Sequence, residues 1–412
     1  MKGVALLAAG EVVLVWVIAS AASRGQGHWF FAAGLAALAA ALVAYGRGRR
    51  SVLYGLWFAS LLAALTAVGL EAALHLWPGI LKGRVANVAY TGYHWQRGGI
   101  YRLDPHAGPV MRPSVRRRMY WNGHWWMHES NAAGYRGPLL DRAQAVFLGD
   151  SMVYGHGVEA DQAVPAAFAR RTGVAAANLG QQGTCVIQAL LAFLDKGVAL
   201  RPSVVFLCVH PTDVEEAERY YGEAELRRFL TLSVVDGVRP VVVPEYHPRT
   251  WWSPARLWAE DLAIPLRCSG ILGAVGRSLR EGESARGGRR RDPFIPTDGD
   301  VEASMPALDP AQPARVRLPW EANRHALAEV QSACKRIGAR LVVFDLGYPR
   351  ALTDSVERAA RAVGALYSPA GRVVLARARA NEVVYLADDG HWSPAGAEIV
   401  AEELARVDAA RP

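Results

Sequence analysis

Three long apolar runs fill the first 77 residues and constrain this chain more than any other feature of its sequence. They lie at about 3–22, 29–45 and 52–77. Each approaches the roughly 20 residues that a helix needs to cross the hydrocarbon core of a bilayer. Lys2 precedes the first run as in a signal peptide, but Glu11 interrupts that run and two more runs follow. We therefore predict three retained transmembrane helices in residues 1–77.

The arginines between the runs predict how the helices are oriented. Only Arg24 lies between the first and second runs, whereas Arg47, Arg49 and Arg50 lie between the second and third. Because positive residues favour the cytoplasmic side, the third helix should run outward. It would deliver everything after Trp77 to the extracytoplasmic face, which is the periplasm in a cell with two membranes. We interpret two carboxylates within the runs as a mutual pair or as helix contacts: Glu11 and Glu71.

A net charge of +8 and a pI of about 9.4 raise the question of an anionic partner. The densest basic cluster, Arg286–Arg291, lies in a stretch rich in Gly, Ser and Asp without interleaved aromatic residues. Nucleic-acid sites place basic side chains on one face of a fold, commonly with aromatic side chains that stack on bases. We therefore predict that the chain binds no nucleic acid.

The spacing of cysteines and histidines predicts neither a metal site nor a cofactor. The four cysteines form no CxxC pair and occur at Cys185, Cys208, Cys268 and Cys334. We interpret them as buried thiols, with one disulfide left open. Four histidines follow the apolar runs without the ligand spacing of a known metal site: His94, His106, His124 and His128. We interpret these histidines as polar packing residues of an aromatic-rich segment rather than as metal ligands.

Two further regions follow the apolar runs. Residues 78–140 are rich in Tyr, Trp, Arg and Gly, with β-like pieces at Gly99–Leu103 and Arg118–Trp121, and predict an extracytoplasmic lead-in subdomain. In residues 141–412, short apolar strands alternate with helical patterns. The predicted strands are Ala145–Leu148, Val174–Asn178, Ser203–Val209, Arg340–Leu346 and Val383–Leu386. The predicted helices are 160–172, 186–199, 213–235, 320–337, 352–363 and 394–407. This alternation favours one α/β domain with a parallel sheet covered on both faces, and an irregular insertion near 281–319.

A Gly-Asp-Ser tripeptide follows the first of these strands and is the first candidate for chemistry. Val146–Leu148 lead into Gly149, Asp150 and Ser151, so that a serine stands where a buried strand ends in a sharp turn. In parallel sheets, ligands gather outside the carboxyl ends of the strands, where backbone N–H groups of the next helix are free. A Ser after an Asp is also a common turn or cap residue, so this motif needs a partner elsewhere.

The partner lies near the end of the chain, at Asp388-Asp389-Gly390-His391. A nucleophilic serine needs a base that takes its proton and a carboxylate that holds the base in the right tautomer. An aspartate and a histidine on one tight loop supply both. The other interpretation of this loop is a helix cap with a surface histidine.

These motifs resemble those of the SGNH, or GDSL, hydrolase superfamily, in the form of a membrane-anchored bacterial envelope member. The resembling blocks are Gly149-Asp150-Ser151, Asn178–Gly183 and Asp388…His391, and the lead-in Asn131–Gly137 resembles the segment before GDS in envelope members. The resemblance implies a flavodoxin-like parallel sheet sandwiched by helices. It also implies Ser151 as nucleophile, His391 as base and Asp388 as orienting carboxylate, with Asp389 as the alternative.

The same resemblance implies an oxyanion hole, which departs from the family pattern at one position. Its donors would be the N–H groups of Ser151 and Gly183, with Gly180 as the alternative glycine. Where the family has Gly-x-Asn-Asp, this chain has His210-Pro211-Thr212-Asp213, so that Thr212 takes the place of the oxyanion Asn. We therefore expect either a shorter hydroxyl donor at this position or an oxyanion hole that uses Gln181, Gln182 or His210 as donor instead.

Three functions follow from this resemblance. The first is a membrane-anchored extracytoplasmic serine esterase that removes O-acetyl or other acyl groups from cell-envelope carbohydrate or lipid. The second is an O-acyltransferase that modifies a surface polysaccharide, and three spans would then require a membrane partner to deliver the acyl donor. The third is a catalytically degenerate scaffold, because Thr212 weakens the oxyanion hole.

Overall fold

A computed structural model describes residues 100–121, 123–244, 314–387 and 389–410 continuously, together with isolated positions between 54 and 77. The continuous ranges belong to one compact unit of the chain, residues 100–249 and 288–412. The predicted spans 3–22 and 29–45 lie outside the described residues, and the isolated positions from Tyr54 to Leu76 are helical. Within the described parts of the chain, no helix combines the length and the apolar character needed to cross a bilayer.

The unit is built on a five-stranded parallel sheet, which confirms the predicted α/β class. Its strands are β5 (Ala145–Leu148), β6 (Ala176–Asn178), β7 (Val204–Val209), β8 (Arg340–Asp345) and β9 (Leu366–Ser368). They are arranged β6-β5-β7-β8-β9, so the second strand in sequence lies at the edge beside the first. This is the flavodoxin strand order, in which the carboxyl ends of β5 and its neighbours meet at one edge of the sheet.

Helices cover both faces of this sheet. In chain order they are α1 (Ser151–Tyr154), α2 (Val164–Thr172), α3 (Val186–Ala192), α4 (Asp213–Phe229), α5 (Ala314–Arg336), α6 (Arg350–Ala362), α7 (Ala370–Arg379) and α8 (Pro394–Ala409). Alternate residues of the wholly buried β7 face opposite layers, as the two-residue period of a strand requires. Val205 and Leu207 pack with α3 to α6, whereas Phe206 and Cys208 pack with α1, α2, α7 and α8.

Two antiparallel hairpins precede the sheet, within residues 78–140, where the sequence predicted a lead-in subdomain. They are β1 (Tyr101–Asp104) with β2 (Gly108–Met111), and β3 (Arg116–Trp121) with β4 (His124–Glu129). The first hairpin docks onto the α/β fold through buried hydrogen bonds. The Met111 N–H donates to Gln181 Oε1 at 3.2 Å, and Gln188 Nε2 donates to the Ala107 carbonyl at 2.5 Å. The first hairpin thus packs against α3 and the segment that precedes it.

The predicted strand Val383–Leu386 is wrong, because its backbone pairs with the loop that follows it. The Leu386 N–H donates to the His391 carbonyl and the Ser393 N–H to the Val384 carbonyl, both at 2.9 Å. The fifth place in the sheet is taken by Leu366–Ser368, a short run that the apolar pattern did not single out.

Several helix boundaries also differ from the prediction, and those of α5 and α4 differ by six residues each. Helix α5 begins at Ala314, so residues 314–319 are helical rather than part of the irregular insertion, and residues 281–313 lie outside the described chain. Helix α4 ends at Phe229 instead of 235.

The described cysteines agree with the predicted buried thiols. Cys185, Cys208 and Cys334 are buried and free, and Cys268 lies outside the described residues. Burial in apolar surroundings raises the pKa of the Cys208 thiol well above its usual range, and the nearby Asp150 carboxylate acts in the same direction. These thiols are therefore packing residues rather than nucleophiles.

Phe206 is the side chain whose loss should damage this core most clearly. It is fully buried and its ring lies 4.6 Å from that of Phe147 and 5.0 Å from that of Phe168. We expect Phe206→Ala to lower the free energy of unfolding by about 3–5 kcal/mol, since the cavity adds to the lost burial. Urea denaturation followed by tryptophan fluorescence measures the change. The matched control Leu139→Ala, at a side chain 60% exposed, should change the free energy by less than about 0.5 kcal/mol, and equal losses would contradict the packing described.

Candidate active site

The Gly-Asp-Ser motif forms the turn between β5 and α1. Gly149 has φ +149°, and a Cβ there would lie 2.8 Å from Val153 Cγ2 and 2.9 Å from Cys208 Cβ. Only glycine therefore fits between the strand and the helix. Asp150 caps α1 by accepting the Met152 N–H at 3.0 Å, and Ser151 is the first helical residue. The turn thus presents the Ser151 side chain at the carboxyl edge of the sheet.

The loop before α8 brings His391 to this serine across 240 residues of sequence. The loop is closed by the Leu386 and Ser393 backbone bonds described above, and Ser393 caps α8 by accepting the Gly396 N–H at 3.3 Å. His391 Nε2 lies 2.8 Å from Ser151 Oγ, a distance typical of a hydrogen bond. The nucleophile and base implied by the motifs are therefore in contact.

The carboxylate that holds His391 is Asp389. Its Oδ1 lies 2.5 Å from His391 Nδ1 and also accepts the His391 backbone N–H at 3.1 Å. Asp388, which the DxxH spacing favours, lies outside the described residues. The contact therefore belongs to the second aspartate of the pair.

The pKa values of the two partners move apart. Burial alone raises the pKa of Asp389, but the charge and hydrogen bonds of His391 outweigh it and lower the value to about 2. Burial alone lowers the pKa of His391, but the Asp389 charge, with a smaller effect of Asp150, raises it above its ordinary range. Asp389 thus stays ionised and favours the protonated form of its neighbour, as an orienting carboxylate must during proton transfer.

The two glycines proposed for the oxyanion hole have different surroundings. Gly183 has φ +64°, and its N–H has no acceptor in the part of the chain that the structure describes. The Gly180 N–H donates to Asn178 Oδ1 at 3.0 Å, and a Cβ at Gly180 would lie 2.4 Å from the Tyr154 nitrogen. Gly180 therefore permits close packing under α1, while Gly183 retains a free donor, as does the Ser151 N–H.

Thr212 stands at the start of α4 but its hydroxyl is engaged by a neighbour. Its Oγ1 lies 2.8 Å from His210 Nδ1, which also accepts the Thr212 N–H at 3.1 Å. Burial lowers the pKa of His210. The ring is therefore neutral, and because Nδ1 accepts, its proton is on Nε2. His210 Nδ1 lies 3.5 Å from Asp150 Oδ2, so the His210 ring stands beside the nucleophile turn.

His156, in the turn after α1, was not identified from the sequence. It is 5% exposed, and its ring stacks on that of His391 with 4.2 Å between centroids and 25° between planes. The signal that could have found it is Gly155-His156-Gly157, since both glycines have positive φ and so mark a turn that presents one side chain.

His156, Asp389 and His391 lie close enough to invite a metal site. The ring geometry argues against one. An imidazole binds a metal through a lone pair in its own plane, and the in-plane lone pairs of two nearly parallel stacked rings do not converge. The three side chains suit a hydrogen-bonded set instead, and the absence of a cofactor remains a prediction.

Arg136, from the lead-in motif, ties the second hairpin to the nucleophile helix. The guanidinium is 1% exposed and donates at distances between 2.5 and 3.1 Å to four carbonyls. These belong to Met127, Tyr154, Gly155 and Val158. A planar guanidinium, whose N–H donors point in fixed directions, suits this role because it satisfies several buried carbonyl acceptors at once. The turn that carries His156 is thereby fixed from both ends.

Three buried acids lie beneath the serine: Asp150, Asp213 and Glu216. Burial raises the pKa of Glu216 to about 8, and the Asp150 charge adds to the effect. Burial likewise raises the pKa of Asp213, with contributions from both neighbouring acids. A Cβ on Gly183 would lie 3.6 Å from Glu216 Oε1, so this neutral carboxyl underlies the glycine that offers the free N–H.

Glu216 should make the protein less stable as the pH rises from about 4.5 to 8. Between about pH 4.5 and pH 8 the folded carboxyl keeps a proton that the unfolded chain has lost, so the free energy of unfolding decreases as pH rises through that window. We expect Glu216→Gln to be more stable relative to wild type at pH 9 than at pH 5, by roughly 2–4 kcal/mol. Urea denaturation at both pH values measures this. Exposed Glu129→Gln is the control, and an identical pH response in both variants would refute the assignment.

A narrow crevice of about 10 Å³ adjoins Ser151 and His391. Its other lining side chains are mainly apolar, among them Met152, Val158, Val164 and Trp392. A cavity of this volume is no larger than about one water molecule, so a larger group next to the serine oxygen requires the lining side chains to shift.

No family model and no curated protein matches this sequence. A solved structure from Desulfitobacterium hafniense DCB-2, provisionally assigned to the G-D-S-L family of lipolytic proteins, is similar over 65% of this chain and 99% of that chain. The identity is 11% and the TM-score 0.32. A TM-score this low supports no conclusion about fold or function. The descriptions of the fold and the site are therefore based on the geometry of this chain, and the motif resemblance remains a prediction.

Proposed function

We propose that the protein is a membrane-anchored, extracytoplasmic serine esterase acting on short acyl esters of cell-envelope carbohydrate or lipid. The observation that carries the proposal is the continuous contact from Ser151 Oγ through His391 to Asp389. Three side chains from two distant loops meet in the order that acyl transfer requires. A catalytically inactive scaffold would not require these three side chains to be aligned.

The proposed reaction has two balanced steps. Ser151 Oγ attacks the ester carbonyl carbon while His391 Nε2 takes the hydroxyl proton, and collapse of the intermediate expels the alcohol, which receives that proton. His391 then takes a proton from water, whose oxygen attacks the acyl carbon, and the released Ser151 oxygen recovers the proton. The N–H groups of Ser151 and Gly183 are the proposed donors to the oxyanion, with Thr212 or His210 as the third.

The small volume and apolar lining of the crevice beside Ser151 favour the smallest acyl groups, such as acetyl. Half-buried Trp121 and Trp125, on the neighbouring hairpin, provide aromatic surface suited to a sugar ring or a lipid. Exposed apolar side chains at helical positions, with Tyr54, Phe58 and Leu62 more than half exposed, support the membrane anchor. A sugar hydroxyl in place of water would make the same acyl-enzyme an O-acyltransferase, which would need a membrane partner as acyl donor.

Substitutions at Ser151 and at the aspartate pair test the chemistry. We expect Ser151→Ala to reduce hydrolysis of p-nitrophenyl acetate by the full chain on the order of 10⁶-fold, down to background. We expect Asp389→Asn to reduce kcat on the order of 10⁴-fold, because His391 loses its orienting acceptor. The matched variant Asp388→Asn should lose much less.

Each result has a distinct meaning. Unchanged activity in Ser151→Ala would refute a serine esterase, and a larger loss in Asp388→Asn than in Asp389→Asn would refute the assigned carboxylate. Acetylated oligosaccharide and a free oligosaccharide acceptor, assayed in parallel, separate release to water from transfer to sugar.

The protonation of His391 sets the acidic limb of the pH profile. His391 must be neutral to act as a base, and Asp389 raises its pKa above the ordinary value of about 6.5. We therefore expect kcat/KM to fall about tenfold for each pH unit below a midpoint that lies above 6.5. Initial rates between pH 5 and pH 9 measure it. A limb with its midpoint below 6 would contradict the Asp389 contact.

A further inference from the structure

The Asp389 carboxylate lies between two imidazoles, only one of which the proposed reaction uses. Its Oδ1 binds His391 Nδ1, whereas its Oδ2 faces His156 Nε2 at 3.8 Å. Oδ2 is buried and accepts no hydrogen bond from the described residues. An ionised, buried oxygen without a donor is costly, so this side of the carboxylate requires a partner.

His156 is held where it can provide that partner. Its Nδ1 lies 2.7 Å from Gln182 Oε1, and its ring packs against His391 at 4.2 Å and Trp126 at 4.7 Å between centroids. Burial lowers its pKa to about 3, so the ring is neutral and carries one proton, on either Nδ1 or Nε2. The position of that proton decides what His156 offers to Asp389.

The Gln182 amide decides the position of the proton. With Oε1 toward His156, the histidine proton is on Nδ1, and two buried groups have no partner among the described atoms: Gln182 Nε2 and Asp389 Oδ2. Rotating the amide by half a turn directs Nε2–H at His156 Nδ1 and transfers the imidazole proton to Nε2, facing Asp389. Asp389 Oδ2 then gains a donor and Gln182 Nε2 an acceptor, whereas Gln182 Oε1 gives up the His156 N–H and moves to the place that Nε2 held. The remaining gap closes to hydrogen-bond length by a shift of about 0.8 Å.

We infer that His156 is a positioning residue that donates its Nε2–H to Asp389 Oδ2 and, by stacking, fixes the plane of the His391 ring. This inference rests on the proposed function, because it assigns the second support of the same carboxylate. With both oxygens bound, Asp389 cannot rotate away from His391 Nδ1. Sharing the carboxylate charge between two imidazoles also reduces its attraction for the His391 proton, so His391 releases that proton at lower pH than it would beside Asp389 alone.

Charged and titratable groups face this pair from three other elements. Asp150 lies in the nucleophile turn, His210 follows β7, and Arg136 of the lead-in motif reaches the turn that carries His156. Variants at His156 leave all three in place. A changed acidic limb in such variants therefore reports on the Asp389 contact.

Two substitutions separate the hydrogen bond from the stacking. His156→Phe keeps an aromatic ring against His391 without an N–H, whereas His156→Gln keeps a donor without a ring. We expect His156→Phe to lower kcat/KM roughly tenfold with KM unchanged, the loss of about one charged hydrogen bond. The midpoint of its acidic limb should rise by roughly 0.5–1 pH unit, because Asp389 then holds the His391 proton more tightly. His156→Gln should restore the midpoint toward the wild-type value.

His128→Phe is the matched control. His128 is equally buried and bonds the Tyr154 hydroxyl at 2.9 Å through Nδ1, without contact to the proposed triad. It should lower thermal stability and leave the acidic limb where it is. An unmoved midpoint in His156→Phe, or equal midpoints in the Phe and Gln variants, would overturn the inference.

A second measurement does not depend on activity. ¹⁵N NMR of histidine-labelled full chain in detergent micelles distinguishes a protonated Nε2 from a protonated Nδ1, and loss of a signal in His156→Phe assigns it. A protonated Nε2 on His156 at neutral pH supports the inference even if Ser151→Ala is fully active, in which case only the esterase proposal fails. A protonated Nδ1 overturns the inference whatever the enzymatic result.

Discussion

The nucleophile turn exists because two glycines allow backbone and side chains to approach more closely than any other residue would permit. Gly149 lets α1 start directly over β5 and beside β7, and Gly180 lets the segment after β6 pass under the Tyr154 nitrogen. A methyl group at either position would lie within 3 Å of a neighbouring heavy atom. Without this approach, Ser151 would not reach the edge of the sheet where His391 stands. The alignment of serine, histidine and aspartate thus depends on a packing constraint as much as on their own hydrogen bonds.

The buried carboxyl groups of the site differ in their pKa values, and burial alone does not explain the difference. Asp389 is as buried as Glu216, yet the pKa of the first is lowered to about 2 and that of the second raised to about 8. The difference is the partner, since Asp389 has two imidazoles beside it whereas Glu216 has two other acids. One carboxylate therefore keeps its charge next to the base, and the other stays neutral beneath Gly183. A single small region thereby holds both forms of the same functional group.

The local sequence pattern correctly predicted those strands whose formation depends on their own apolar residues. It failed for features that depend on contacts with residues distant in the chain. The strand before Gly149 and the buried β7 follow from apolar runs, because both faces of these strands are covered. The fifth strand could not be found in this way, since Leu366–Ser368 is short and Val383–Leu386 has the stronger apolar signal but pairs with its own loop. The choice of Asp389 depends on which of two adjacent carboxylates faces His391, and spacing along the chain does not settle that. His156 acquires its role only through contacts with Gln182 and His391.

The four carbonyls that accept hydrogen bonds from Arg136 come from two separate parts of the chain. One is the second hairpin and the other is the turn that follows the nucleophile helix. An α/β fold transferred to another protein without its hairpins would lose this guanidinium and leave buried acceptors unmatched. Recombination can therefore move this fold intact only together with the segment ahead of it, so that the smallest transferable unit includes the second hairpin and Arg136 as well as the sheet.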